Sequence, residues 1–247
     1  MKGHQLTHEE ILLVIPARYR STRLPGKPLV AIAGKPMIVR TAEQCAKVVP
    51  RDRIIVATDD QRIVDVCAAN GFRAELTRND HLTGTDRVAE IAARYPSRTY
   101  INVQGDEPVF EPEDIRAIIA ASDEHPATTI IGSCAVTESQ WRDSKYIKLL
   151  TGLDGHLIYI GRAMVPGSHD GSFNGGLRQV CAYAYPAEVL AKFASVDART
   201  PLEMIEDCEV VRFLELNLPV RVIPMSNRSM SVDRPEDVTR VEAALNA

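Results

Sequence analysis

Short aliphatic runs recur along the chain, and between them the apolar positions move to helical spacing. Residues 11–15, Ile-Leu-Leu-Val-Ile, are too few for a helix and the right number for a buried parallel strand, with Pro16 ending it. Gly34-Lys35-Pro36-Met37 then opens a helix with proline near its first turn, and Met37, Ile38, Thr41, Ala42 and Cys45 fall on one face. Residues 53–57 read as a second strand, followed by Thr58-Asp59-Asp60 as the cap of a helix presenting Ile63, Val64 and Cys67. The same pattern predicts a short strand over 72–76, a helix over 85–93, a buried strand over 100–103 and a helix over 112–121 with Ile115, Ile118 and Ile119 inward. Strands and helices that alternate in this way build a parallel sheet.

After His125 the pattern changes. Residues 128–136, 146–150 and 157–160 are strand-like, and the last two flank residues 151–155, a hairpin turn with Asp154-Gly155 near its end. Residues 167–176, rich in Gly and Ser, read as a mobile loop, and 180–185 as another strand. Thr200-Pro201-Leu202-Glu203 is a capping box with proline at the first helical position, starting a helix that runs through Leu216. Residues 219–224 complete the strands, and Asp233 opens the last helix.

Composition narrows the class. The 247 residues, 45% of them apolar, suffice for one large α/β domain with an inserted lobe. A net charge of −4 supplies no basic field for nucleic acid. The cysteines, Cys45, Cys67, Cys134, Cys181 and Cys208, stand singly without zinc spacing and read as free thiols of a reducing compartment. Residues 1–10 are polar, and the apolar run behind them meets Arg18 too soon for a signal peptide or a membrane span. A cytoplasmic enzyme without a membrane segment is expected.

The candidate chemistry sits at the ends of the expected strands. Arg18, Arg23 and Lys27 follow the first strand within ten residues, and Gly26 lets the backbone approach a ligand closely. Guanidinium forks and an ammonium suit phosphate oxygens, and open α/β sheets bind ligands at the carboxyl ends of their strands. The loop is neither a P-loop nor a Gly-x-Gly-x-x-Gly turn, which argues against a dinucleotide-dependent oxidoreductase. Asp106, in Gln104-Gly105-Asp106-Glu107-Pro108, follows another strand and is either a Mg2+ ligand or a turn former. Thr83-Gly84-Thr85 precedes a helix and offers hydroxyls and backbone donors to a nucleotide, with Arg87 one turn on. Asp233-Arg234-Pro235-Glu236 has the form of a second capping box.

The stretch Pro16-Ala17-Arg18-Tyr19-x-Ser21-Thr22-Arg23-Leu24-Pro25-Gly26-Lys27-Pro28-Leu29 resembles the signature loop of the 3-deoxy-manno-octulosonate (Kdo) cytidylyltransferases, the CMP-Kdo synthetases. The resemblance continues, in family order, through Val56-Ala57-Thr58-Asp59-Asp60, Thr83-Gly84-Thr85-Asp86-Arg87, Asn102-Val103-Gln104-Gly105-Asp106-Glu107-Pro108 and Val232-Asp233-Arg234-Pro235-Glu236-Asp237. It implies a nucleotide-diphospho-sugar transferase fold: a Rossmann-like mixed sheet with helices on both faces and an inserted β-rich lobe. Residues 11–125 would be mainly the nucleotide half and 126–247 mainly the sugar and dimerisation half of a homodimer. It implies cytidylyl transfer from CTP to a 3-deoxy-2-ulosonic acid, for lipopolysaccharide or another surface polysaccharide. Two readings stay open beside it: a nucleotidyltransferase of the same fold for a different sugar acid or base, and a non-catalytic nucleotide-sugar sensor.

Carried onto this chain, the resemblance makes Arg18 and Lys27 triphosphate ligands, with Lys27 stabilising charge at the α-phosphate, and gives the Ala17 backbone to cytosine. Asp106 and Asp233 become a Mg2+ pair. Ser21, Thr58, Thr83, Gly84 and Thr85 go to the nucleotide, and Gln104 lies between nucleotide and acceptor. Arg23, Arg87, Arg162, Gln179, Tyr183 and Glu209 go to the sugar. Here the chain departs from the family: Gln179-Val180-Cys181-Ala182-Tyr183 carries Gln where the family has His, and Glu209-Val210-Val211-Arg212 carries Val210 in place of Gln. Losing a partner for a substrate hydroxyl alters selectivity strongly, so an altered acceptor is a further expectation.

Overall fold

The structure is a computed structural model that describes residues 7–245. Residues 1–6, the start of the polar leading stretch, lie outside the described residues. The strands are β1 (Ile11–Ala17), β2 (Ala31–Ile32), β3 (Lys35–Pro36), β4 (Ile54–Thr58), β5 (Arg73–Leu76), β6 (Thr99–Val103), β7 (Thr129–Ala135), β8 (Lys148–Thr151), β9 (Leu157–Gly161), β10 (Leu177–Pro186) and β11 (Val220–Pro224). The helices are α1 (Met37–Ala46), α2 (Gln61–Ala69), α3 (Gly84–Arg94), α4 (Pro112–Glu124), α5 (Glu138–Arg142), α6 (Ala187–Ala194), α7 (Pro201–Glu206), α8 (Val210–Glu215) and α9 (Pro235–Leu245). The main sheet runs β11-β7-β10-β6-β1-β4-β5, and the β8-β9 hairpin joins it through β10.

The sheet is mixed. β1 pairs in parallel with β4 and β6, and β11 with β7, whereas β10 is antiparallel to both β6 and β7. The alternation within β1 decides the layers: Ile11, Leu13 and Ile15 pack with α1, α2 and α4, while Leu12 and Val14 pack with α3, α6 and α8. Both faces are covered, so the strands read as unbroken apolar runs. The parallel strands β1, β4 and β6 end on one edge and deliver their following loops to it.

Four local expectations change. Pro16 belongs to β1 opposite Ala57, because pairing with β6 has ended at Val14 and the missing N–H costs no ladder bond on that side; its carbonyl accepts from Gly105 N at 3.3 Å. The helix expected over 201–216 breaks into α7 and α8 at Asp207, whose φ of 46° is left-handed. Helices α5 and α6 had no forecast, although Thr137 and Gln140 form a complete capping box for α5. At α9 the capping carboxylate is Asp237, which accepts from the N–H groups of Asp233 and Arg234 at 3.0 Å each; Glu236 turns to the Arg234 side chain. Residues 167–176 form a loop tied by Ser172 donating to Asp170. Among the described residues no helix is long and apolar enough to cross a membrane, and no cysteine is paired.

Candidate active site

The loop after β1 turns on Gly26, whose φ of 66° is left-handed and whose missing side chain leaves room for the Tyr19 ring. A single 3-10 turn, Lys27–Leu29, follows and lifts Lys27 back over the sheet edge. Its ammonium lies 2.5 Å from Asp106 Oδ2 and 3.1 Å from Asp233 Oδ1, and Arg23 Nη2 lies 3.2 Å from the same Asp233 oxygen. Burial works to lower the Lys27 ammonium, but Asp106 and Asp233 outweigh it and hold it above its ordinary value. Burial likewise works to raise Asp233, and Lys27, Arg23 and Arg234 together hold it below the usual carboxylate range.

Asp106 owes its place to Gly105. A side chain there would meet the Pro16 carbonyl oxygen at 2.8 Å, so only glycine lets the loop after β6 lie against the end of β1. Val232 N donates to the Asp106 carbonyl at 3.0 Å, which docks the segment carrying Asp233 on the same loop. The neighbouring Glu107 is buried, accepts from Ser229, and is raised to about 8 by burial and by Asp106.

Around this ion cluster lies a cleft of about 260 Å3 lined by Pro16, Ala17, Arg18, Arg23, Lys27, Pro28, Met37, His81, Leu82, Thr83, Gly84, Arg87, Gln104, Gly105, Asp106, Arg199 and Asp233. Loops from the ends of β1 and β6, the start of α3 and the segment before α9 thus converge. Arg87 reaches the cleft although its Nη1 already donates to Thr77 and to the Arg78 carbonyl. Thr83 faces it while its hydroxyl and the Asp86 carboxylate form the capping box of α3.

Other expected residues stand elsewhere. Ser21 lines a second cavity, which shares Arg18 with the cleft, and its hydroxyl accepts from Leu24 N. Thr58 is buried at the end of β4, where its hydroxyl accepts from Asp60 N. Thr85 shares a hydroxyl–hydroxyl bond with Tyr185 and gives its N–H to Glu209, so its polar groups are engaged within the protein. Arg162 is spent on carbonyls: it donates to those of Ser144, Glu206 and Asp207, holding the break between α7 and α8.

Gln179, Tyr183 and Glu209 are not among the residues that line the cleft: Tyr183 lies on β10 opposite Asn102 of β6, whose side chain accepts from Gln104, and Glu209 meets the start of α3. Gln179 Nε2 donates to Tyr183 Oη at 3.0 Å. Glu209 is raised by burial, against bonds from Thr85 and Thr83. Val210 is packed in the apolar layer with Val211 and Phe213, so that departure is a core substitution in this fold. His81, Leu82 and Arg199 line the cleft without having been singled out. His81 stands two residues before the Thr83-Gly84 block, the signal that was available; nothing in the sequence around Arg199 points to the cleft.

The paired carboxylates fit a hard divalent ion. Mg2+ takes one or two carboxylates and fills its shell with waters and substrate phosphates, and Asp106 and Asp233 already converge on one cation. Among the described residues no group of three or more His, Cys, Asp and Glu converges as a zinc or calcium cage would require.

A mixed sheet with cationic and carboxylate loops gathered at its strand ends defines a nucleotidyltransferase of the α/β class, and the cytidylyltransferase family model matches residues 12–220. The chain belongs to the 3-deoxy-manno-octulosonate cytidylyltransferase family. It is 40% identical over 246 residues to the enzyme of that name from Syntrophotalea carbinolica, covering 95% of this chain and 98% of the relative. It is 33% identical over 235 residues to the Escherichia coli enzyme, covering 95% of each. A solved CMP:2-keto-3-deoxy-manno-octonic acid synthetase complexed with CTP superposes with a TM-score of 0.89 at 32% identity, covering 96% of this chain and 98% of that one.

Proposed function

We propose that this chain joins CTP to Kdo: the anomeric hydroxyl of the sugar acid attacks the α-phosphorus in line, the bond to the pyrophosphate oxygen breaks, and CMP-Kdo and pyrophosphate result. The observation that carries this reading is the contact of Lys27 with both Asp106 and Asp233 inside a cleft floored by Ala17, Gly84 and Gln104. A sensor of nucleotide sugars has no use for such a pair.

Phosphoryl chemistry asks for positioning and charge stabilisation more than for covalent work by the protein. Arg18 and Lys27 bind the triphosphate, and Lys27 gives up a carboxylate contact to meet the α-phosphate as its charge grows. The Ala17 backbone meets cytosine. Asp106 and Asp233 would hold Mg2+, which would neutralise phosphate charge and lower the pKa of the attacking hydroxyl. Gln104, Arg87 and the Gln179–Tyr183 pair orient the acceptor, with Glu209 fixing the first turn of α3 behind them. Since Gln179 donates to Tyr183 and Val210 lies in the core, the acceptor side keeps a polar pair, and Kdo is the favoured acid.

The chain forms one domain that works as a homodimer in the cytoplasm, supplying activated sugar for lipopolysaccharide or another surface polysaccharide. Exposed Ile158 on β9 and Leu202, Met204 and Ile205 on α7 support the dimer. Tyr159 donates to Glu206 at 3.1 Å, which sets α7 beside β9.

Pyrophosphate release with CTP, UTP, ATP and GTP, each with Kdo and with or without chelator, tests the reaction. Turnover with CTP that requires Mg2+ is expected. Equal rates with ATP, or undiminished turnover under chelation, defeats it. In the same assay Gln179→His combined with Val210→Gln lowers kcat/KM for Kdo; a gain would favour a different ulosonic acid as native acceptor.

A further inference from the structure

Arg212 of α8 is fully buried, and every part of its fork is engaged. Nε and Nη2 each lie 2.7 Å from a Glu203 oxygen, Nη1 lies 2.8 Å from Asp86 Oδ1, and the Phe193 ring centroid lies 4.1 Å from the guanidinium carbon. The two carboxylates share a second property: each is the third residue of a helix and closes its capping box, Glu203 for α7 and Asp86 for α3. One guanidinium therefore ties two helix starts together. Buried charge of this kind persists only when paired and hydrogen-bonded throughout, and removing one member leaves the others uncompensated.

The two arms differ in what they hold. The Glu203 arm leads to the start of α7, which meets the cleft only at its rim, through Arg199 beside the Thr200 cap. The Asp86 arm leads into the cleft itself, since the other Asp86 oxygen accepts from Thr83 N at 2.9 Å and Thr83 Oγ1 at 2.8 Å, and Thr83 and Gly84 line it. There is little slack on the far side. A side chain on Gly84 would meet Gln104 at 3.1 Å and Pro16 at 3.3 Å, so the first turn of α3 sits wedged between those residues and α8. Glu209 adds a second tie from α8, accepting from Thr85 N at 3.1 Å.

We infer that Arg212, acting through Asp86, is a positioning residue for the nucleotide: it fixes Thr83 and Gly84 at the height at which the cleft accepts CTP. The inference rests on the reading of this cleft as the CTP site. Asp86→Asn removes its arm of the fork while keeping an acceptor oxygen for the cap of α3, and Glu203→Gln removes the charge and the Nη2 contact while keeping the Oε2 position for the cap of α7 and for Arg212 Nε. Both variants lower Tm, as any loss from a buried network does. Asp86→Asn raises KM for CTP at least fivefold more than Glu203→Gln does, with a smaller fall in kcat, and Glu203→Gln stays within twofold of the unaltered protein. Adding Arg212→Met to Asp86→Asn brings no further rise in KM, because the two act as one.

A difference in KM between the two carboxylate variants below fivefold overturns the inference, as does an equal effect from each. Should Arg212→Met yield no folded protein, the comparison of Asp86→Asn with Glu203→Gln decides alone. Equilibrium titration with CTP and Mg2+ separates the two levels: unaltered protein that binds no CTP overturns the proposed reaction and this inference together, whereas normal binding with undiminished Asp86→Asn affinity overturns only the latter.

Discussion

Lys27 is held by two carboxylates, and in the proposed reaction its exchange of them for phosphate is the residue-scale event on which the chemistry turns. Lys27→Ala lowers kcat by about a hundredfold or more, the scale for removing a charge stabiliser at a transition state; steady-state rates at saturating Mg2+ check it. The aspartates behave differently from what the sequence around Asp233 implied. Because Asp237 does the capping, Asp233→Asn and Asp233→Ala both abolish turnover with little change in Tm, whereas Asp237→Ala costs about 1 kcal/mol of stability and leaves kcat nearly intact. An active Asp233→Asn enzyme removes Asp233 from the metal pair. Lys27, Asp106 and Arg18 were legible because their loops follow recognisable strands, and a strand end is a position sequence can mark. Arg162 was not legible in this way: an arginine in a matching block gives no sign that the Ser144 carbonyl and two carbonyls at the break between α7 and α8 will accept from it.

At the scale of elements, the alternation of β1, β4 and β6 with α1 to α4 was readable because each strand is buried on both faces and each helix shows one apolar stripe. The single helix expected over 201–216 was not, since the break at Asp207 comes from a tertiary network. Glu215 of α8 reaches across that break and accepts from Thr200, Leu202 N and Glu203 N, finishing the start of α7. Burial works to raise the Glu215 carboxyl, but these bonds outweigh it and hold it below the ordinary glutamate value of 4.5. A carboxylate lowered by folding contributes stability that is fully present above the unfolded value and is lost as the pH falls through the folded one. Glu215→Gln therefore costs on the order of 1 kcal/mol near neutrality, and the gap between variant and unaltered protein closes as the pH drops below 4.5; denaturant titrations at pH 7 and pH 4 measure it. A gap that persists unchanged at pH 4 rules the charge out as its source.

Across the whole molecule, four of the eight exposed large apolar residues among those described lie on β9 and α7, with Ile205 76% and Ile158 64% exposed. A glutamate there would face water in a monomer and be desolvated in a dimer. Ile205→Glu accordingly halves the mass seen by sedimentation velocity at micromolar concentration while Tm by circular dichroism changes little; a mass unchanged by the substitution takes this face out of the interface. Surface of this kind is hidden from sequence reading, because an apolar residue at helical spacing looks the same whether it meets its own core or a second copy.

The contact between Lys27 and Asp233 spans 206 positions of the chain. During synthesis the ribosome therefore releases the cationic loop early, and the second carboxylate emerges only when most of the polypeptide has left the tunnel. Until then the nascent chain has the cationic loop but lacks one of the two carboxylates proposed to hold Mg2+, and closing so long a loop comes late in folding. If Asp233 completes the metal pair as proposed, a chain stalled or cut before residue 233 is expected to turn over no CTP, and assaying a chain truncated before that position checks it.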